Sequence, residues 1–242
     1  MKIEILTIFP EMFEGYLNSS IAKRAREANL MEVEATDIRS FSKDRHKKTD
    51  DYPFGGGAGL VMMPQPIFDA VEHAKSRLKN AKVVYMSPQG KRLDNRVARE
   101  LATESELIIL CGHYEGVDQR VIDELCDMEL SIGDYVLTGG ELAAMVVTDS
   151  VMRFIPGAVG NEDVHEEESF EDGLLEYPQY TRPSDYKGLK VPEVLLSGHH
   201  ENIRKWRRKK QLEKTKKLRP DLISSAQLTK EDEKFLSEQD KD

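Results

Sequence analysis

Five short apolar runs, separated by segments with helical periodicity, constrain this chain more than any other feature. Residues 2–9, 31–38, 82–86, 106–111 and 128–132 read as strands. Between them, residues 20–28, 66–78, 93–103 and 117–125 read as helices, one of which places Ile67, Ala70, Val71 and Ala74 on one face. A further helix at 140–154 carries an apolar stripe through Leu142, Met145, Val146 and Met152. Strand and helix in alternation predict an α/β domain with a mostly parallel sheet, because parallel neighbours need a crossover long enough to hold a helix. A hydrophobic fraction of 39% supplies the core, and no apolar run approaches the roughly 18–20 residues of a membrane span. Charge interrupts the first strand and no cleavage site follows it, which excludes a signal peptide and places the protein in the cytoplasm. Cys111 and Cys126 are too few for a disulfide framework and are expected as buried thiols.

Two glycine-bearing stretches directly follow predicted strands. They are Cys111-Gly112-His113-Tyr114-Glu115-Gly116-Val117-Asp118 and the run from Ser131 through Ile132, Gly133, Asp134, Tyr135, Val136, Leu137, Thr138, Gly139 and Gly140 to Glu141. Glycine lets a ligand lie against main-chain amides, and ligands of open parallel sheets sit at the carboxyl ends of strands. A backbone-lined small-molecule pocket is therefore expected around His113, Tyr114 and Glu115. Neither G-x-G-x-x-G nor G-x-x-x-x-G-K-[ST] occurs, so the glycines do not announce a dinucleotide or a nucleoside triphosphate. A third cluster, Gly55-Gly56-Gly57-Ala58-Gly59, lies inside the domain and reads as a ligand or backbone-approach loop. The cations of residues 43–48 before it make either a solvated loop or a phosphate contact. His199 and His200 are adjacent, diverge on a helix and have no third ligand nearby, so they read as surface or cap rather than metal ligands.

The net charge of −9 argues superficially against a nucleic-acid partner, but the signs are segregated. Between Glu162 and Glu176 there are eight acids and no Lys or Arg, whereas Arg204 to Arg219 carries ten bases against the single acid Glu213. A basic helix of this density around Trp206 points to nucleic acid. Regular alternation fails at Pro156, so the expected organisation is a domain at 1–160, an acidic linker at 161–176 and a small helical domain at 177–242. Helices at 199–217 and 229–239 belong to the last, and residues 237–242 are expected to fray. Tyr177, Tyr180 and Tyr186 either stack on bases or build the small domain's core.

Several ordered motifs then converge. They are Ile8-Phe9-Pro10-Glu11-Met12-Phe13, Asp51-Tyr52-Pro53-Phe54-Gly55-Gly56-Gly57, Met86-Ser87-Pro88-Gln89-Gly90, the two glycine stretches, Arg153-Phe154-Ile155-Pro156-Gly157, Asp172-Gly173-Leu174-Leu175, Pro178-Gln179-Tyr180-Thr181-Arg182-Pro183 and Val194-Leu195-Leu196-Ser197-Gly198-His199. Together they resemble the bacterial tRNA (guanine-N1)-methyltransferases across most of the chain, with little contribution beyond about residue 222. The resemblance implies an α/β domain with a deep trefoil knot of the SPOUT class, which spacing alone does not reveal. It implies S-adenosylmethionine as cofactor, held by Tyr85, Met86, Ser87, Pro88, Gly112, Tyr114, Glu115, Gly116, Ile132, Gly133, Asp134, Tyr135, Val136, Leu137, Gly139 and Gly140. It implies a homodimer whose sites are shared between subunits, a tRNA substrate, and stimulation by magnesium without a dedicated metal motif.

The resemblance also implies roles in the reaction. Guanine N1 carries a proton, so a base must remove it while another group supports charge spreading toward O6. Arg153 corresponds to the arginine and Glu168, before Ser169-Phe170, to the base. The family normally has Asp there, so Glu168 is a departure that lengthens the side chain by a methylene, and Glu166 or Glu167 could substitute. Glu115 contacts the guanine or the cofactor's amino end, and Glu176 aligns with an acid near the active site. Substrate contacts fall to Asp50, Gly55, Gly56, Gly57, Gly59, Glu115, Arg182, Arg204, Arg207 and Arg208. Competing readings are a related knotted enzyme methylating ribosomal RNA at a ribose hydroxyl, and an RNA-binding protein without catalysis.

Overall fold

The structure is a computed structural model that describes residues 1–159 and 168–239. Two compact units divide the chain, Met1–Asn161 and Glu162–Asp242. In the first, β1 (Lys2–Thr7) leads through a 3-10 turn at Pro10–Phe13 into α1 (Glu14–Leu17), α2 (Ser20–Glu27) and β2 (Glu32–Asp37). A second 3-10 turn at Ile38–Phe41 precedes the short strands β3 (Asp50–Asp51) and β4 (Val61–Met62). Then come α3 (Pro64–Arg77), β5 (Lys82–Arg92), α4 (Asn95–Ala102), β6 (Glu106–Cys111), α5 (Gln119–Leu125), β7 (Met128–Ser131) and α6 (Glu141–Met152).

The five longer strands form one sheet in the order β2-β1-β6-β5-β7, and every pairing is parallel. This is the expected α/β architecture. Side chains alternate between faces along each strand, and helices cover both, so the strands read as continuous apolar runs. On one face Ile3, Ile5, Val84, Leu107, Ile109 and Leu130 pack with Ala22 and Ala25 of α2, Val97 and Leu101 of α4 and Ala144, Val147 and Val151 of α6. On the other, Leu6, Val83, Tyr85, Ile108 and Leu110 meet Ile67, Ala70, Val71 and Ala74 of α3 and Val121 of α5. The amide of Val97 donates to the Asp94 carboxylate at 2.8 Å, capping α4.

Two features differ from the expected outline. β5 runs past residue 86 to Arg92, with a register shift against β7 between Met86 and Lys91. Pro88 lacks a ladder donor, so the strand bulges there before pairing resumes. In α6 the buried residues include Ala143, Ala144, Val147, Val151 and Met152, whereas Leu142 is 50% and Val146 43% exposed. Of the expected stripe, Met152 therefore joins the core and Met145 packs against it, while Leu142 and Val146 face away, and Ala143, Ala144, Val147 and Val151 fill the rest of the buried side.

The second unit contains the hairpin β8 (Asp185–Tyr186) and β9 (Leu189–Lys190), then α7 (Glu193–Leu196), α8 (His200–Leu218), α9 (Pro220–Ile223) and α10 (Lys230–Glu238). Its core joins Leu174, Leu212 and Leu236, with Ile223 and Phe235 against them. Residues 168–176 are built into this unit. The Leu175 amide donates to Thr215 Oγ1 at 2.8 Å, Lys214 Nζ donates to the Glu176 carbonyl at 2.9 Å, and the Arg208 guanidinium bonds both Asp172 and Asp232. A capping box between Thr229 and Asp232 starts α10, which continues to Glu238 through part of the segment expected to fray. Residues 240–242, like Glu166 and Glu167, lie outside the described residues.

Candidate functional site

The bulge of β5 and the segments following β6 and β7 converge on one cavity. Fifteen of the residues expected to hold a cofactor line it: Tyr85, Met86, Ser87, Pro88, Gly112, Tyr114, Glu115, Gly116, Ile132, Gly133, Tyr135, Val136, Leu137, Gly139 and Gly140. Asp134 is exposed and is not among the lining residues. Gln89, His113, Leu130, Ser131, Thr138 and Ala143 complete the lining. His113 carried a sequence signal, since it follows a strand end, but Ala143 belongs to α6 and only packing brings it here.

The two glycine-bearing segments bind each other. The Gly140 amide donates to the Gly112 carbonyl at 2.8 Å, and His113 pairs with Gly139 in an isolated antiparallel bridge. A Cβ on Gly140 would lie 2.9 Å from Cys111 Cα and 3.0 Å from the Gly112 nitrogen, so only glycine permits the approach. Beneath them Cys111 is fully buried. Burial, with the Glu141 carboxylate nearby, pushes its thiol well above the usual range, so it is an inert packing group. Burial also raises the Tyr85 hydroxyl to about 12, helped by the charge of Glu129.

The loop of residues 55–60 is strapped to the same place. The Glu115 amide donates to the Leu60 carbonyl at 3.0 Å, the Met62 amide to the Gly116 carbonyl at 2.9 Å and the Asp118 amide to the Met62 carbonyl at 3.0 Å. Gly59 has φ +83°, and a Cβ there would stand 2.5 Å from Glu115 Cγ. The Glu115 side chain thus lies across the bare glycine. Tyr114, at φ +60°, hydrogen-bonds Asp50; burial first and the Asp50 charge second raise its hydroxyl. Tyr52 and Phe54, just before this loop, project into solvent, Phe54 being 100% exposed. Of the cations before it, Lys43 pairs with Asp69 at 3.0 Å and Lys48 with Asp51 at 3.1 Å.

Arg153 caps the far end of α6. At 1.5 Å per residue it stands roughly 18 Å along the helix from Glu141, so the cavity and the arginine are at opposite ends of one element. The remaining expected residues fall in the second unit. Glu168 is half-buried and its carbonyl accepts the Glu171 amide, while Ser169 Oγ accepts the Glu176 amide at 3.0 Å. Arg182 is exposed, and Arg204 is engaged by Glu201 at 2.9 Å. Arg207 lies 4.7 Å over the ring of Tyr177, which is buried, whereas Tyr180 and Tyr186 are exposed. Arg208, expected at the substrate, is committed to Asp172, Asp232 and the Gln227 carbonyl. His199 and His200 are exposed at the start of α8. Among the described residues no group of three or more His, Cys, Asp or Glu is placed to hold a metal ion, and no helix is long and apolar enough to cross a membrane.

Comparison with known proteins agrees over the whole length. A tRNA (guanine-N(1)-)-methyltransferase of Clostridium beijerinckii is 58% identical over 236 residues, covering 98% of each chain. Those of Clostridium botulinum and Geobacillus kaustophilus are 55% and 51% identical, over 100% of this chain and 100% and 99% of theirs. The family profile described as tRNA (Guanine-1)-methyltransferase TrmD matches residues 1–225, a span that takes in the cavity, Arg153, Glu168 and α8. A cavity assembled from three backbone-rich segments, and relatives more than half identical from end to end, lead to one assignment: the chain belongs to the tRNA (guanine-1)-methyltransferase family.

Proposed function

We propose that the chain transfers a methyl group from S-adenosylmethionine to N1 of the guanosine just 3′ of the tRNA anticodon, position 37. The convergence of the segments at 85–88, 112–116 and 132–140 on one cavity carries this reading. Main-chain groups of glycines and the apolar Leu130, Ile132, Leu137 and Ala143 are a lining suited to an adenosyl group, and these segments would hold it. The group supplies a methyl already activated by a sulfonium charge. Two segments joined by the Gly140–Gly112 hydrogen bond, with Tyr85 against Gly112, are what a deep trefoil knot of the SPOUT class would bring together, and the knot is part of this proposal.

The protein's own work is alignment, proton removal and electrostatic support. Glu168 takes the N1 proton, and Arg153 donates to O6 as charge develops there. The loop of residues 168–176, pinned through Leu174 and Asp172, holds the backbone of the base in place. Glu115, laid over Gly59, reads the guanine edge, with Asp50 fixing Tyr114 beside it. Tyr52 and Phe54 offer faces on which flanking bases stack. Arg182, Arg204 and Arg207 hold phosphates of the tRNA, and affinity falls as salt rises.

A homodimer with shared sites accounts for the position of Arg153. Leu142, Val146 and Arg153 recur at helical spacing on the solvent side of α6, so a partner covering this apolar strip receives the arginine as well. A tRNA substrate supports the reading that the protein acts in the cytoplasm. Among the described residues no group of three or more His, Cys, Asp or Glu is placed to hold a resident magnesium ion.

The test is incubation with S-adenosylmethionine, magnesium and unmodified tRNA bearing guanosine 3′ of its anticodon, then digestion and mass spectrometry. N1-methylguanosine at that position is the expected product. A ribose-methylated nucleoside, or cofactor and tRNA binding without product, would overturn the proposal.

A further inference from the structure

Glu141 is a carboxylate in an unusual place. It is the first residue of α6, directly after Gly139 and Gly140, and is only 2% exposed. One of its oxygens, Oε1, accepts the Thr7 hydroxyl proton at 2.8 Å, and Thr7 Oγ1 in turn accepts the Phe9 amide at 2.9 Å. The other, Oε2, stands 3.9 Å from His113 Nδ1. That nitrogen is sealed from solvent and has no hydrogen-bond partner, although the ring lines the cavity. Phe9 meets the imidazole edge-on at 5.1 Å and Tyr114 at 5.0 Å, so the ring is held between two aromatics.

A buried nitrogen without a partner is costly, and a buried carboxylate beside it is its natural acceptor. Glu141 opens α6, and with Oε1 held by the Thr7 hydroxyl its Oε2 is left facing His113. Gly139 keeps the gap between the groups clear. A Cβ there would lie 2.3 Å from Glu141 Oε2 and 2.5 Å from His113 Nδ1, inside the contact distance of both. Closing 3.9 Å to hydrogen-bond distance takes only a small turn of either side chain.

We infer that Glu141 is a positioning residue that holds the His113 proton on Nδ1, leaving Nε2 as a hydrogen-bond acceptor for a hydroxyl or amino group of the nucleoside ligand in the cavity. The neutral imidazole has one donor and one acceptor nitrogen, and the partner of the first decides the role of the second. Thr7 and Phe9 complete the arrangement, one holding the carboxylate and the other the ring. The pairing stands on the cluster itself, whereas the acceptor's use rests on the proposed role of the cavity in holding the cofactor.

The test uses the full chain labelled with 15N in its histidine rings, without ligand, at mildly alkaline pH. Two-bond proton–nitrogen spectra read the tautomer of each imidazole, and His113→Asn identifies the signal among the six histidines. A protonated Nδ1 and bare Nε2 on His113 are expected, with a shift toward the Nε2–H form in Glu141→Met. An Nε2–H tautomer in the unsubstituted protein overturns the inference, and needs no variant to fold. So does an unchanged signature in Glu141→Met. S-adenosylmethionine binding by calorimetry should weaken about tenfold in the same variant. The expected tautomer with unchanged cofactor affinity would uphold the pair and overturn the use of Nε2 as the cofactor's acceptor, whereas an unsubstituted chain that does not bind S-adenosylmethionine would overturn the cofactor reading of the cavity.

Discussion

Asp232→Asn should destabilise the second unit through a cluster that the sequence does not display. The Asp232 side chain is 6% exposed and receives the Arg208 guanidinium at 2.9 Å and the Thr229 amide at 2.9 Å. Removing one partner of a buried pair costs about 3–5 kcal/mol. Here Arg208 is 26% exposed and keeps Asp172 and the Gln227 carbonyl, which brings the expected loss to about 2 kcal/mol. Burial works to raise the Asp232 carboxyl, but hydrogen bonds from Arg208 and Thr229 outweigh it and hold the carboxyl below its usual range. A depressed carboxylate stabilises the fold above its unfolded pKa of about 4, and that contribution disappears as pH falls through the folded value. The gap between the native chain and the variant should therefore be widest near neutrality and narrow below about pH 4. Urea unfolding followed by Trp206, the single tryptophan and a residue of α8, reports this unit directly. A gap below about 0.5 kcal/mol at neutral pH, or one equally wide in acid, refutes the reasoning.

Arg153→Ala should leave S-adenosylmethionine affinity within about threefold while lowering single-turnover methylation by about 100- to 1,000-fold, the cost of one donor to a developing anion; an unchanged rate would remove Arg153 from the reaction. Glu168→Gln keeps the side chain's size and should cost about 100- to 10,000-fold in turnover. Near-normal turnover there would transfer base function to a neighbouring acid. Gly59→Ala forces a Cβ onto Glu115 at φ +83°, so tRNA kcat/KM should fall by about 100-fold with cofactor binding intact, measured by steady-state kinetics and calorimetry. Equal losses in both would show a general distortion of the cavity instead.

The strand and helix segments were legible because both faces of a parallel sheet are covered, which writes each strand as an unbroken apolar run. The glycine-bearing segments were legible for a related reason, since glycine marks where chain must pass close to chain. The cofactor assignment of Asp134 and the substrate assignment of Arg208 came from motif position, and motif position does not say where a side chain points. In the structure Asp134 is exposed and Arg208 is spent on Asp172 and Asp232. The segment between Arg77 and Asp127 illustrates the same limit in the backbone, because local patterning ended β5 at residue 86 and could not foresee that β7 would capture Lys91 and Arg92 beyond a bulge.

Sequence alone therefore determined the element order, the parallel α/β class, the segregated charge and the three segments that line the cavity. These properties are local or periodic, and each is carried by residues near one another in the chain. Tertiary structure alone decided which side of α6 is buried and that Thr7, His113 and Glu141 meet. The Thr7–Glu141 contact joins residues 134 positions apart, and the packing of α6 on β6 and α4 joins elements separated by other strands and helices, so no local pattern encodes either partner.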